Sequence, residues 1–146
     1  MKAPFLAEDA FLADVAAARR EVGRLHLWWM GQSGFLVAWN GRCVLLDPYL
    51  SDSLTCKYAA TDKPHVRMTG RVVAPERLDF VDAVTSTHNH TDHLDPDTLR
   101  ALARVNPGLV LLCPLANRAE ALDRSGFPGD RVMGLDADVP PTSASV

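Results

Sequence analysis

The stretch Thr87-His88-Asn89-His90-Thr91-Asp92-His93-Leu94 constrains this chain more than any other, because it places three of the five histidines and one carboxylate within six residues. Imidazole and carboxylate are ligands for zinc and neighbouring divalent metals, so His88, His90, Asp92 and His93 are read as metal ligands. His88 and His90 are two apart, and in extended backbone such residues project to one side, where both rings reach one ion. Asp92 and His93 follow within a turn and are placed to hold a second ion. Four such side chains packed together without a metal would crowd polar groups that need partners.

The flanking sequence sets this cluster between a strand and a helix. Val81 to Thr87 reads as a strand that delivers the chain to His88. Asp95 is the expected N-cap of a helix through Leu99, Leu102 and Val105, with Pro96, Asp97 and Thr98 in its first turn. The positive end of that helix dipole would favour an anionic substrate. Asn106-Pro107-Gly108 stops the helix, and Leu109 to Cys113 is an apolar run of the kind expected for a strand buried on both faces. A short helix over Ala116–Arg124 and a strand over Arg131–Leu135 are expected next.

Upstream, Phe11, Val15, Ala18 and Val22 recur at helical spacing within Ala7–Val22, with Gly23 as the expected C-cap. Leu25–Met30, Phe35–Trp39 and Arg42–Leu46 read as strands. Asn40-Gly41, two residues that tolerate positive φ, joins the last pair as a hairpin. Asp47-Pro48 ends the third strand and leaves a carboxylate at its edge, which either faces a site or caps the turn. Tyr49–Leu78 has little periodicity and reads as an extended loop, in which Lys57, His65 and Arg67 are candidates for substrate or subunit contacts. His26 is an ordinary histidine on this reading.

At 146 residues, 47% hydrophobic and 23% charged, the chain is expected to form one globular domain. A net charge of -3 without a basic block argues against nucleic acid and anionic lipid as partners. No apolar run approaches the ~20 residues that span a bilayer, and a cytoplasmic location is expected. Cys43, Cys56 and Cys113 are an odd number without a CxxC pair, so they are expected as reduced thiols. The tail from Val139 to Val146 is expected to be disordered.

His88-x-His90-x-Asp92-His93 resembles the HxHxDH signature of the metallo-β-lactamase superfamily. Trp29-Met30-Gly31-Gln32-Ser33-Gly34-Phe35-Leu36-Val37, Leu45-Leu46-Asp47-Pro48-Tyr49-Leu50-Ser51-Asp52 and His93-Leu94-Asp95-Pro96 resemble the branch containing L-ascorbate-6-phosphate lactonase. The resemblance runs from Ala3 to Asp138. It implies an α/β (α+β) chain corresponding to the N-terminal half of a four-layer αββα sandwich, with residues 1–138 as the domain. It also implies two divalent ions, zinc or manganese. His88 and His90 would serve one ion, Asp92 and His93 the other, with Asp92 also catalytic and Asp47 in the supporting shell. The implied activity is hydrolysis of a lactone, phosphodiester or other ester of a small, anionic substrate through a metal-bound hydroxide.

The family's second half carries a further metal-binding histidine, a bridging aspartate and a final histidine. No histidine follows His93 here. A truncated, catalytically impaired chain with one uncovered sheet face is therefore expected. The competing expectation is a non-catalytic fragment acting as a binding or oligomerisation module, including as a homo-oligomer.

Overall fold

The structure, a computed structural model, describes residues 1–138. The expected disordered tail at 139–146 lies outside them. Helix α1 (Glu8–Ala18) leads into strands β1 (Leu25–Trp29), β2 (Phe35–Trp39) and β3 (Arg42–Leu46), followed by a short helix α2 (Ser53–Tyr58). Strand β4 (Ala83–Thr85), helix α3 (Pro96–Val105), strand β5 (Val110–Pro114), helix α4 (Arg118–Ser125) and strand β6 (Val132–Leu135) complete the order. The strands form one six-stranded sheet in sequence order. β1, β2 and β3 are antiparallel, while β3 through β6 run parallel. The switch coincides with the loss of tight turns, since parallel neighbours need a crossover.

Asn40 and Gly41 both take positive φ, 48° and 80°, and close the β2–β3 hairpin as their residue types demand. Leu36 and Ala38 of β2, Cys43 and Leu45 of β3, Val84 of β4, Leu111 and Cys113 of β5 and Val132 of β6 belong to one buried cluster. Phe11 and Val15 of α1, Leu99 and Leu102 of α3 and Ala121 of α4 belong to it too, so these helices cover one face of the sheet. Along β1 and β2 the other face carries Leu25, Leu27, Trp29, Phe35, Val37 and Trp39, none of them buried. Leu25, Leu27, Trp29 and Trp39 are between 51% and 69% exposed.

Several local expectations shift. α1 ends at Ala18 rather than Val22, and Gly23 donates its N–H to Asn40 Oδ1 at 2.7 Å instead of capping the helix. Val22 is exposed because the chain has left the helix before the fourth apolar position can reach the core. The loop expected over Tyr49–Leu78 contains α2, which buries no residue and therefore leaves no periodic signal. β5 alternates instead of being buried on both sides, since the helices lie on one face only. The Asp95 cap stands as read, its side chain accepting from the Thr98 N–H.

Candidate metal centre

The site forms where parallel strands β3 and β4 end, the edge at which ligands gather in open α/β sheets. β4 stops at Thr85, so His88 to His93 sit on a bent loop rather than on extended backbone. The expectation that strand alternation would bring His88 and His90 together thus fails in its mechanism. The rings meet all the same, through the loop's own turn. His90 O accepts from the N–H groups of His93 and Leu94 at 2.9 and 2.8 Å. Ser86 Oγ donates to His88 O at 2.9 Å, and Ser33 Oγ, from the β1–β2 turn, donates to Asp92 O at 2.9 Å. His88 lies with its ring centroid 4.5 Å from His90 and 4.1 Å from His93.

Asp47 organises this group. Its carboxylate accepts from Thr85 Oγ1 at 2.7 Å, from Thr87 N at 3.1 Å, from Thr87 Oγ1, and from His93 Nδ1 at 2.8 Å. A carboxylate offers about four lone-pair sites, and these four protein donors fill them. Burial pushes the Asp47 carboxyl upward, but the bonds from Thr87, Thr85 and His93 outweigh it and hold the group below the ordinary aspartate value. The Thr87 hydroxyl has one proton, given to Asp47, so at 3.0 Å from His88 Nδ1 it can only accept. Both His88 and His93 are thereby fixed with the proton on Nδ1. Each presents a free Nε2 lone pair, the form a metal ion requires.

Nε2 of His93 is 3.6 Å from Asp92 Oδ2. Two donors on one tetrahedral ion with bonds near 2.0–2.1 Å stand ~3.3 Å apart, so this pair fits a shared ion after a small contraction. Ligand atoms of Asp47, His88 and His93 lie within 4.8 Å of one another. The donor set therefore suits a divalent cation. Asp47 is bonded to His93 Nδ1 directly and to His88 through Thr87. His90 is exposed beside His88, on the outer side of the group.

Backbone strain marks the same place. Asp47 and Gln32 are non-glycine residues at positive φ, 43° and 38°. Gly34 runs so close to the β3 terminus that a Cβ there would stand 2.7 Å from the carbonyl oxygens of Leu46 and Asp47. Asp95 is fully buried, accepting from Thr98 N at 3.1 Å and from Ser53 Oγ at 2.8 Å. Its charge already occupies the positive end of α3, which leaves less of that dipole for a substrate anion than the sequence suggested.

The polar residues of the long connection divide. Lys57 is exposed, its ammonium over the Tyr58 ring. His65 meets Gln32 Nε2 at 2.5 Å and Thr55 Oγ1 at 3.3 Å, which ties this connection to the turn carrying Ser33. Arg67 is buried under Tyr49, donating to Ser51 O at 2.6 Å. His26 stacks on Trp28, away from this cluster. Sequence reasoning missed Ser33, Thr85 and Thr87. Thr85 and Thr87, two apart at the end of an apolar strand, were the one signal that could have pointed to them.

Comparisons with known proteins place the chain in a family. A family described as "Beta-lactamase superfamily domain" matches residues 26–133. An uncharacterized protein of Mycobacterium tuberculosis is 37% identical over 125 residues, covering 86% of this chain and 32% of that protein. A UPF0173 metal-dependent hydrolase of Hyperthermus butylicus is 28% identical over 117 residues, covering 79% of this chain and 43% of the relative. The chain thus spans about a third to less than half of these relatives' length. Among solved structures, an isothiocyanate hydrolase from Delia radicum gut bacteria aligns with a TM-score of 0.55 at 24% identity, covering 75% of this chain and 41% of its own. A variant of the CmlA beta-hydroxylase aligns at 0.51 and 21% identity, covering 88% and 24%. These two likenesses concern the fold.

Proposed function

The chain belongs to the beta-lactamase superfamily, and from that premise we propose that it carries the metal-binding loop of a metal-dependent hydrolase. The observation that carries this reading is the Asp47 network, which keeps the proton of His88 and of His93 on Nδ1 and leaves Nε2 of each as the ligand atom, with the two ring centroids 4.1 Å apart. The relative named as a metal-dependent hydrolase supports it. His88 and His90 are assigned to one ion and His93 and Asp92 to a second, with zinc or manganese suited to such nitrogen and oxygen donors. When bound, a divalent ion supplies Lewis acidity that activates water and polarises the bond under attack.

The chain's own residues do the positioning. Asp47 keeps the proton of His93 on Nδ1 and, through Thr87, that of His88 on Nδ1. Ser33 fixes the backbone of Asp92, whose carboxylate stands beside His93 Nε2 and is the candidate catalytic carboxylate. The substrate class follows from the likeness to the ascorbate-6-phosphate lactonase branch: a small, anionic lactone, phosphodiester or other ester.

Purified protein loaded with zinc or manganese and offered each ester class tests this. Turnover that a chelator abolishes, that added metal restores and that His88→Ala lacks is the expected result. Equal rates with and without metal, and in His88→Ala, would count against it. A second reading, an association module, draws on the apolar face of β1 and β2. Light scattering separates the two, since a metal-free oligomer without turnover would favour the module.

A further inference from the structure

Between the two histidines of the first ion sits Asn89, and helix α4 holds it from both sides. Asn89 Nδ2 donates to Glu120 Oε2 at 2.8 Å, while Arg124 NH1 donates to Asn89 O at 2.9 Å. Arg124 NH2 bonds Glu120 Oε1 one turn along the same helix. The three residues close a ring: amide to carboxylate, carboxylate to guanidinium, guanidinium back to the carbonyl of the same asparagine. The guanidinium's planar fork fixes the direction of two of these bonds at once. α4 is itself anchored, with Ala121 fully buried and Gly126 ending it at a left-handed φ of 72°.

The hydrogen bonds of Glu120 and Arg124 go to Asn89 and to each other, with none to the side chains of His88, His90, Asp92 or His93. Partly exposed pairs of this kind contribute little to stability, so fold stability alone is a weak reason for the ring. Its effect is on place. Ser86 and Ser33 fasten the loop at His88 O and Asp92 O, and the ring fastens the residue between, next to exposed His90. We propose that Glu120 and Arg124 are positioning residues for the metal loop, clamping Asn89 so that His88 and His90 are held ready for a divalent ion. The inference rests on the metal-centre reading only for its second half; the clamp itself is a claim about the loop.

Two measurements on the same proteins separate these halves. Hydrogen exchange of the 88–93 amides without metal reads the clamp, and zinc titration against a chromogenic chelator reads its consequence. In Arg124→Ala and Asn89→Ala the loop amides should exchange several-fold faster while those of β5 and β6 do not change, and zinc affinity should fall roughly tenfold. Arg124→Lys, which keeps charge but loses the fork, should fall between. The double variant should lose no more than the worse single, since both remove one ring. Unchanged loop exchange would overturn the clamp, and faster exchange with full zinc affinity would overturn its positioning role. Parent protein that takes up no zinc would instead sink the metal-centre reading, with exchange still judging the clamp.

Discussion

Replacing Asp47 by Asn tests the orientation argument with little disturbance elsewhere. Asn matches Asp in size and tolerates the positive φ of 43° found there. It turns one acceptor atom into a donor. If the amide nitrogen takes the Oδ2 place, it faces His93 Nδ1 and Thr87 Oγ1, both of which now donate to that atom. His93 must then move its proton to Nε2 to accept there, and Nε2 can no longer bind metal. If the amide is reversed, its nitrogen faces the Thr85 hydroxyl and the Thr87 N–H instead. Carboxylates that orient ligating histidines are worth about 10–100-fold in metal affinity. At about 1.4 kcal/mol per tenfold, Asp47→Asn should weaken zinc binding by roughly 1.4–2.8 kcal/mol. Fold stability should fall by only about 1–2 kcal/mol, the cost of one mispaired buried group. Chelator competition and a thermal melt in chelator measure the two. Affinity within twofold of the parent would refute the assignment of Asp47.

Three further outcomes follow from the same contacts. Asp95→Ala removes the cap of α3 and strands Ser53 Oγ, and a denaturant midpoint should report a loss of about 2–3 kcal/mol. Gly34→Ala puts a methyl against the Leu46 and Asp47 carbonyls at a φ of 87°, so stability should drop by about 2–4 kcal/mol and zinc affinity with it. Burial pushes the Cys43 and Cys113 thiols up, whereas Cys56 is exposed, so a thiol reagent should modify one cysteine quickly and two more only on unfolding. A raised folded pKa gives stability that is complete below the unfolded thiol value of about 8.5. Melts should therefore show that contribution lost as pH climbs above it.

The short-range chemistry was legible. Asn40-Gly41 specified its own hairpin and Asp95-Pro96 its own helix start, and the histidine loop drew attention to itself because no packing role suits so many ligand-type side chains together. What joins residues distant in the chain was less so. The bonds of Asp47 reach Thr85 and Thr87, about 40 residues away in sequence but side by side where two parallel strands end. α2 left no pattern because it buries nothing. In β1 and β2 apolar residues occupy both alternating positions, so the sequence could not say which face the helices would cover; only the packing of Phe11 and Val15 decides it.

The metal centre is tested most directly by the metal content and zinc affinity of the purified protein beside its His88→Ala and His93→Ala variants. The parent should bind a divalent ion, and either variant should bind it more weakly by a hundredfold or more, with folded far-ultraviolet dichroism in all three. A folded parent that binds no divalent ion, or variants that bind it as tightly, would contradict the metal centre.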